Sequence, residues 1–206
     1  MNAFLVVVGI LMLAGTAGAD YKECRQAYRD KHWDQAFDAC HAEALNADKG
    51  EGDKRAVLRV AYLYMRGRGT GRDYNEAMRW FRKAADRGSG RAMSQIGYLH
   101  KKGWGVTRDE EAALRWYKKS AETGHYLGQY NYGINLVGRA VRGSGTQEDV
   151  VTGYMYLILS KEQNRGSVRF REEAVGHWMG VAENHLTYSE IDEAKRRARK
   201  WKKGTE

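Results

Sequence analysis

Residues 92–124 read AMSQIGYLHKKGWGVTRDEEAALRWYKKSAETG, and residues 56–88, 36 positions earlier, read AVLRVAYLYMRGRGTGRDYNEAMRWFRKAADRG. The two segments share two glycines, an aspartate, a tryptophan and a final glycine. These are Gly67, Gly69, Asp73, Trp80 and Gly88 in the first segment, and Gly103, Gly105, Asp109, Trp116 and Gly124 in the second. A weaker third copy keeps Gly128 and Gly133 and, after a four-residue insertion, Asp149, Tyr156 and Ser160. A fixed period of this length predicts a solenoid of stacked supersecondary units.

Each repeat predicts two helices, because its two halves both have helical spacing of apolar residues. Asp73 and Asp109 precede the second helix, where an aspartate caps the N-terminus well. Gly88 and Gly124 follow that helix, where a left-handed residue commonly ends it. Small residues at one position of the first helix would allow close approach to its partner: Ala61, Gly97 and Gly133.

The pattern over residues 92–124 resembles the SEL-one-like repeat (SLR), a relative of the tetratricopeptide repeat. The resemblance is specific across residues 55–124 and weaker across 125–160. There Arg139 and Gly143-Ser-Gly145 replace the compact loop, and Gly153 stands where alanine is expected. The resemblance implies an all-α fold, a right-handed α-solenoid of stacked antiparallel helix hairpins with a C-terminal capping helix.

The chain divides into six predicted segments. These are a signal peptide at 1–19, a disulfide-linked N-terminal helix hairpin at 20–48, repeat one at 53–88, repeat two at 89–124, a degenerate repeat three at 125–164, and C-terminal capping helices at 165–206.

Composition excludes several classes of protein. The chain has 206 residues, 42% of them hydrophobic, and no proline, which indicates a folded and largely helical protein. Two cysteines are too few for a disulfide-built fold or a four-thiolate zinc site. The formal net charge of +9 favours acidic partners without identifying one.

Residues 1–19 carry no charged side chain, and Phe4 to Ala14 form an apolar run. That run is shorter than the roughly 20 residues that a membrane span needs. Ala17-Gly18-Ala19 supplies small residues for a signal peptidase, so we expect cleavage after Ala19 and a periplasmic protein without stable membrane insertion. No Lys or Arg precedes the apolar run, which leaves an uncleaved membrane anchor as the alternative.

Cys24 and Cys40 lie on two predicted helices joined by a turn near Lys31-His32. The midpoint of the two positions is 32, so the thiols should face each other across an antiparallel hairpin. In an oxidising compartment this predicts a disulfide. Free buried thiols and a metal site that also uses His41 are the alternatives.

We find no catalytic constellation, and we expect neither a metal nor a cofactor. Gly67-Arg-Gly69-Thr-Gly71 is glycine-rich, but a dinucleotide-binding loop needs a strand before it. The glycines recur at the repeat period, which indicates turns between helices. Glu173 and His177 share a helix face without a second ligand at metal-binding spacing, which indicates a surface or packing role.

The similarity to tetratricopeptide geometry places the first helix of each unit on an inner, partner-binding face. The residues predicted to bind there are Arg55, Tyr62 and Arg66 in repeat one, Arg91, Tyr98, Lys101 and Lys102 in repeat two, and Tyr130 in repeat three. Arg and Tyr are enriched in binding hot spots. Packing of these tyrosines between helices is an equally good interpretation.

The C-terminal stretch 195–203 reads KRRARKWKK and follows Glu190, Asp192 and Glu193. Acidic residues first and basic residues last is the order that a helix dipole favours, so a solvated helix end is expected. The alternatives are contacts of this helix end with an acidic protein, with anionic lipid or with nucleic acid. Nucleic acid is disfavoured, because the sequence has no nucleic-acid-binding motif.

The leading hypothesis is therefore a non-catalytic exported module that binds an acidic protein. The resemblance implies scaffolding or inhibitory roles, and the sharper hypothesis is an immunity protein that neutralises a secreted toxin such as a phospholipase effector. The alternatives are a β-lactam-binding or β-lactam-hydrolysing enzyme and a protein that binds peptidoglycan or anionic lipid. The cysteine-rich relatives that are linked to β-lactams carry a cysteine pair in each repeat. This chain has one pair in total, outside the clear repeats, which argues against the enzyme alternative.

Overall fold

The computed structural model describes residues 21–48, 53–163 and 169–203, and every regular element within these ranges is an α-helix. The helices are α1 (Tyr21–Asp30), α2 (Trp33–Asp48), α3 (Lys54–Arg66), α4 (Tyr74–Asp86), α5 (Gly90–Lys102), α6 (Glu110–Glu122), α7 (Tyr126–Val141), α8 (Gln147–Gln163), α9 (Arg169–Glu183) and α10 (Tyr188–Lys203). The predicted all-α fold is confirmed. The expected signal peptide lies outside the described residues.

The helices pack in chain order. From α1 to α9 each helix contacts the next one, and α10 returns to pack against α8. Further contacts join helices two apart, such as α5 with α7 and α7 with α9. Contacts limited to near neighbours along the chain are typical of stacked repeats, and they confirm the predicted solenoid of helix hairpins.

Side-chain and glycine caps fix the helix ends. The Asp73 carboxylate accepts hydrogen bonds from the backbone N–H groups of Asn75 and Glu76, at 2.8 and 3.0 Å. Asp109 accepts one from Ala112 at 2.8 Å, so both predicted aspartate caps are confirmed. Gly67 and Gly103 end α3 and α5 in the left-handed region, with φ of +61° and +69°.

The loop glycines hold one hairpin against the preceding one. A Cβ on Gly69 would collide with the carbonyl oxygen of Trp33, the first residue of α2. A Cβ on Gly105 would lie 2.5 Å from the carbonyl carbon of Tyr74, the first residue of α4. Each loop therefore contacts the start of the second helix of the hairpin before it, at a distance that only glycine permits.

Small residues also let the helices of one hairpin approach closely. A Cβ on Gly97 of α5 would lie 2.8 Å from the Tyr117 ring and 3.0 Å from the carbonyl oxygen of Ala113, both on α6. A Cβ on Gly133 of α7 would lie 2.9 Å from the carbonyl oxygen of Gly153 on α8. The predicted close approach at these positions is confirmed.

Two clusters of buried residues form the core. The first extends from Cys24 to Leu99 and includes Trp80, which is only 1% exposed. The second extends from Ala113 to Ala198. The core therefore runs the length of the stack, so hairpins and their side chains keep fixed positions relative to their neighbours.

The N-terminal hairpin is closed by the predicted disulfide. Lys31 adopts a left-handed conformation (φ +62°) between α1 and α2. Cys24 and Cys40 are bonded to each other and fully buried. Helix α1 has only ten residues, fewer than the about 12 that an isolated helix needs, so its position depends on this bond and on packing.

We expect Gly97→Ala to lower the free energy of unfolding by about 1–3 kcal/mol, because the new methyl group meets the buried Tyr117 ring. The matched control is Gly176→Ala on α9. Gly176 is exposed with open space beside it, so alanine should stabilise the protein by about 0.5–1 kcal/mol. Urea unfolding measures both variants, and equal effects would contradict the close contact.

We expect loss of the disulfide, through Cys24→Ala with Cys40→Ala, to lower the free energy of unfolding by about 3 kcal/mol, as expected for a loop of this size. Thermal unfolding of the variant, and of the wild type with and without reductant, measures the effect. Indistinguishable melting temperatures would show that α1 does not depend on the bond.

Candidate functional site

Helix α3 presents four polar or aromatic side chains along one face. Arg55, Arg59, Tyr62 and Arg66 follow one another at steps of four, three and four residues. Residues at this spacing share one side of a helix. The face is therefore strongly cationic, and it lies where α1 and α5 can also reach it.

Helix α1 adds two tyrosines to this face. The Arg59 Nε–H donates a hydrogen bond to the Tyr21 hydroxyl at 3.1 Å, and the Arg59 guanidinium lies 4.7 Å from the centre of the Tyr28 ring. The Arg55 guanidinium lies 4.2 Å from the centre of the Tyr21 ring. Cation–π contacts at these distances orient both arginines.

Helix α5 adds Arg91. Its Nε–H donates to the Tyr62 hydroxyl at 3.0 Å, and the Arg91 and Arg66 guanidinium groups lie 5.1 and 5.3 Å from the centre of the Tyr62 ring. The Tyr62 ring itself is only 7% exposed and packs edge-on against Phe81. Burial raises the pKa of its hydroxyl.

For Tyr62 the burial of the ring favours packing between helices, one of the two interpretations that the sequence left equally open. The Tyr62 ring belongs to the core, and its hydroxyl accepts the hydrogen bond that supports Arg91.

These side chains surround a shallow depression of about 250 Å³, which we call the N-terminal cleft. It is lined by Tyr21, Tyr28, Arg55, Leu58, Arg59, Tyr62 and Arg91. Within the described ranges, Asp53 is the one carboxylate bonded to these arginines. It pairs with Arg55 at 2.5 Å, and this hydrogen bond lowers the pKa of the Asp53 carboxyl. The Arg55 side chain nevertheless remains 68% exposed.

A second depression of about 280 Å³, the C-terminal cleft, lies further along the stack. It is lined by Lys101, Glu110, Ile134, Asn135, Arg142 and Trp178. The Lys101 ammonium donates a hydrogen bond to the Asn135 side-chain oxygen at 2.9 Å, and this bond links α5 to α7. Burial lowers the pKa of the Lys101 ammonium. This cleft is mixed in charge, because Glu110 is among its walls.

The remaining predicted binding residues lie outside both clefts. Tyr98 is half-buried and packs edge-on against Trp104, with Lys102 5.8 Å from the centre of its ring. Tyr130 is half-buried against the second core cluster. Arg66 lies exposed beside Tyr62. The eight predicted residues are therefore divided among several surroundings.

Sequence reasoning missed Tyr21, Tyr28 and Arg59. The spacing of Arg59 from Arg55 is one helical turn, a signal that could have identified it. Tyr21 and Tyr28 are likewise seven residues apart on α1. Their arrival beside α3 has no sequence signal, because the leading hairpin lies outside the 36-residue period.

The basic C-terminal helix is partly committed to internal ion pairs. Arg197 pairs with Glu148 on α8 and with Glu193, and Arg196 also pairs with Glu193 at 2.6 Å. The Glu148 pair fastens α10 to α8. Lys195, Arg199 and Lys200 are exposed.

Both cysteines of the chain are used in the disulfide. In the part of the chain that the structure describes, no group of three or more His, Cys, Asp or Glu residues is arranged to hold a metal ion. Within the same ranges, no helix has both the length and the apolar character needed to cross a membrane.

The stacked hairpins define the class of protein, an α-helical solenoid of tetratricopeptide-like repeats. Residues 54–89 and 90–125 each match the Sel1 repeat family. The chain therefore contains two SEL-one-like repeats in tandem, which confirms the resemblance. Sel1 repeat proteins generally act as scaffolds for protein interactions.

Two solved structures share this fold. A Sel1 repeat protein from Oxalobacter formigenes has a TM-score of 0.50 at 19% identity, covering 81% of this chain and 85% of that one. A protective antigen of uropathogenic Escherichia coli with an SLR fold has a TM-score of 0.64 at 22% identity, covering 86% of this chain and 37% of that one. At these identities the likeness concerns the fold alone. No curated protein matches this chain.

We expect Tyr62→Ala to lower the free energy of unfolding by about 3–5 kcal/mol, as for truncation of a buried aromatic ring. Tyr62→Phe should cost only about 0.5–1.5 kcal/mol, because it removes one partly exposed hydrogen bond. Tyr188→Ala is the control, since Tyr188 is 92% exposed and its loss should change stability by less than about 0.5 kcal/mol. Urea unfolding compares the three, and a Tyr62→Ala effect as small as that of the control would place Tyr62 outside the core.

Proposed function

We propose that this protein is a non-catalytic, exported binding module that holds an acidic partner protein on the face formed by α1, α3, α5 and α7. The observation that carries the proposal is the N-terminal cleft, which brings together Arg55, Arg59 and Arg91. Within the described residues, a single carboxylate, that of Asp53, is bonded to one of them, Arg55. An excess of fixed positive charge at one place on a protein attracts and orients a negatively charged partner.

Preorganisation supports the same proposal. Long arginine side chains normally lose conformational freedom on binding, which weakens association. Here tyrosine rings and hydroxyls already orient Arg55, Arg59 and Arg91. A partner therefore meets a surface whose anchoring groups are largely in place.

Export is supported by the disulfide, because structural disulfides persist mainly in oxidising compartments such as the periplasm. The partner class that we favour is a secreted toxic enzyme with an acidic rim around its active site. Covering that rim with a rigid basic surface would block substrate entry, which is the action of an immunity protein.

Charge reversal on the proposed face tests the interaction. The variant replaces four cations with glutamate: Arg55, Arg66, Arg91 and Lys102. A matched control changes four exposed cations of α4 and α6 in the same way: Arg82, Arg115, Lys118 and Lys119. We expect the first variant to lose, by about a hundredfold or more in affinity, a partner that co-purifies from the periplasm, and the control to retain it within about threefold.

Circular dichroism melts must show that both variants remain folded. Equal loss in the two variants would show that net charge, rather than this face, governs binding.

Co-expression tests the immunity role. Cells that produce a secreted toxin encoded beside this protein should survive when the wild type is co-expressed and die when the charge-reversed variant replaces it. Survival that does not depend on the wild-type protein would overturn this role, and co-purification would then decide the broader binding function separately.

A further inference from the structure

Two arginines of the N-terminal cleft are each held by a tyrosine hydroxyl at the inner nitrogen of the guanidinium, Nε. The Nε–H of Arg59 is bonded to the Tyr21 hydroxyl, and the Nε–H of Arg91 is bonded to the Tyr62 hydroxyl. Among the described residues, no hydrogen bond or ion pair occupies the terminal Nη groups of either arginine. Each guanidinium therefore keeps its outer pair of N–H donors for a ligand.

This arrangement fits a carboxylate. The planar fork of a guanidinium matches the two oxygens of a carboxylate, and such charge-assisted hydrogen bonds are short and strong. With Nε already bonded to a tyrosine, the end-on Nη1–Nη2 edge is the one that remains. Arg59 of α3 and Arg91 of α5 line one depression together with Arg55, whose side chain is exposed.

The size of the cleft limits what can enter. A volume of about 250 Å³ is below that of a typical small-molecule site, but it accommodates one or two side chains. Leu58 and the rings of Tyr21 and Tyr28 supply apolar walls for the methylene groups of those side chains. The cleft thus suits aspartate or glutamate side chains of an extended segment.

The rest of the face disfavours a polyanion. Nucleic acid requires a continuous track of cations along its backbone. Further along the stack, the C-terminal cleft places Glu110 beside Lys101 and Arg142, which interrupts the positive charge.

We propose that the N-terminal cleft binds an extended acidic segment of the partner protein, with Arg59 and Arg91 each holding a carboxylate through their Nη groups. This inference rests on the proposed function and names the contact that anchors the partner. Tyr21 and Tyr62 are positioning residues in this site, since they act on the ligand only through the arginines.

The test uses two fluorescent, end-blocked peptides and the full protein without its first 19 residues. One peptide alternates glutamate with leucine and glycine, and its twin has glutamine at each glutamate. Fluorescence anisotropy at low ionic strength reports the dissociation constants. We expect the glutamate peptide to bind and the glutamine twin to bind at least about tenfold more weakly.

Paired variants locate the site. Arg59→Gln with Arg91→Gln should weaken binding of the glutamate peptide by about tenfold or more, whereas Arg82→Gln with Arg115→Gln, on α4 and α6, should change it less than about twofold. Arg59→Lys with Arg91→Lys keeps the charge but removes the fork, so it should still lose most of the affinity. If the Arg59→Gln, Arg91→Gln variant does not fold, the lysine variant alone tests whether the two guanidinium groups bind the peptide.

Four results would overturn the inference: no binding of the glutamate peptide, equal binding of its twin, equal loss in the control pair, or full binding by the lysine pair. Phosphatidylglycerol vesicles bound through Arg59 and Arg91, in place of the peptide, would assign the cleft to lipid. A natural partner that binds the wild type and the Arg59→Gln, Arg91→Gln pair equally would overturn this cleft while leaving the proposed function standing.

Discussion

The close approach of backbone to backbone at the repeat glycines is the constraint on which the structure depends. Gly69 and Gly105 let each loop touch the start of the second helix of the hairpin before it, and Gly97 and Gly133 let the two helices of one hairpin approach closely. Because a methyl group at these positions would push adjacent elements apart, Gly69 and Gly105 set the distance from one hairpin to the next, and Gly97 and Gly133 set the distance between the helices of one hairpin. Packing density in a protein core leaves little freedom to absorb such a shift.

The binding face follows from that register. Arg59 on α3 reaches Tyr21 on α1, and Arg91 on α5 reaches Tyr62 on α3, so the cleft exists only if three helices keep their relative positions. The disulfide holds α1, the shortest of these helices, in its hairpin. Core packing and the chemistry of the cleft are coupled at Tyr62, because its ring packs in the core and its hydroxyl holds Arg91.

The features predicted correctly from the sequence are periodic or local. The repeat, the caps at Asp73 and Asp109, the small residue at Gly97 and the pairing of Cys24 with Cys40 all depend on spacing within one or two adjacent elements. Tyr62 was harder to place, since its repeat position fits both burial and exposure. Its burial is decided by Phe81 of the next helix, which packs against the ring.

The contacts of α1 with α3 were beyond prediction for a different reason. They join elements of different hairpins, and the leading hairpin does not share the 36-residue period. Position along a repeat can therefore identify which helix face is outward, but it cannot state which side chains of a non-repeating neighbour will meet that face. The C-terminal cleft has a similar origin, because one of its walls is Trp178 of α9, a helix that also lies outside the 36-residue period.

The preorganised cleft can be observed directly by NMR of the arginine Nε–H groups in the oxidised protein. We predict slowly exchanging signals for Arg59 and Arg91, with nuclear Overhauser contacts to the rings of Tyr21 and Tyr62, and selective loss of each signal in the corresponding Tyr→Phe variant. A single averaged, rapidly exchanging signal for all arginines would contradict the fixed juxtaposition of α1, α3 and α5.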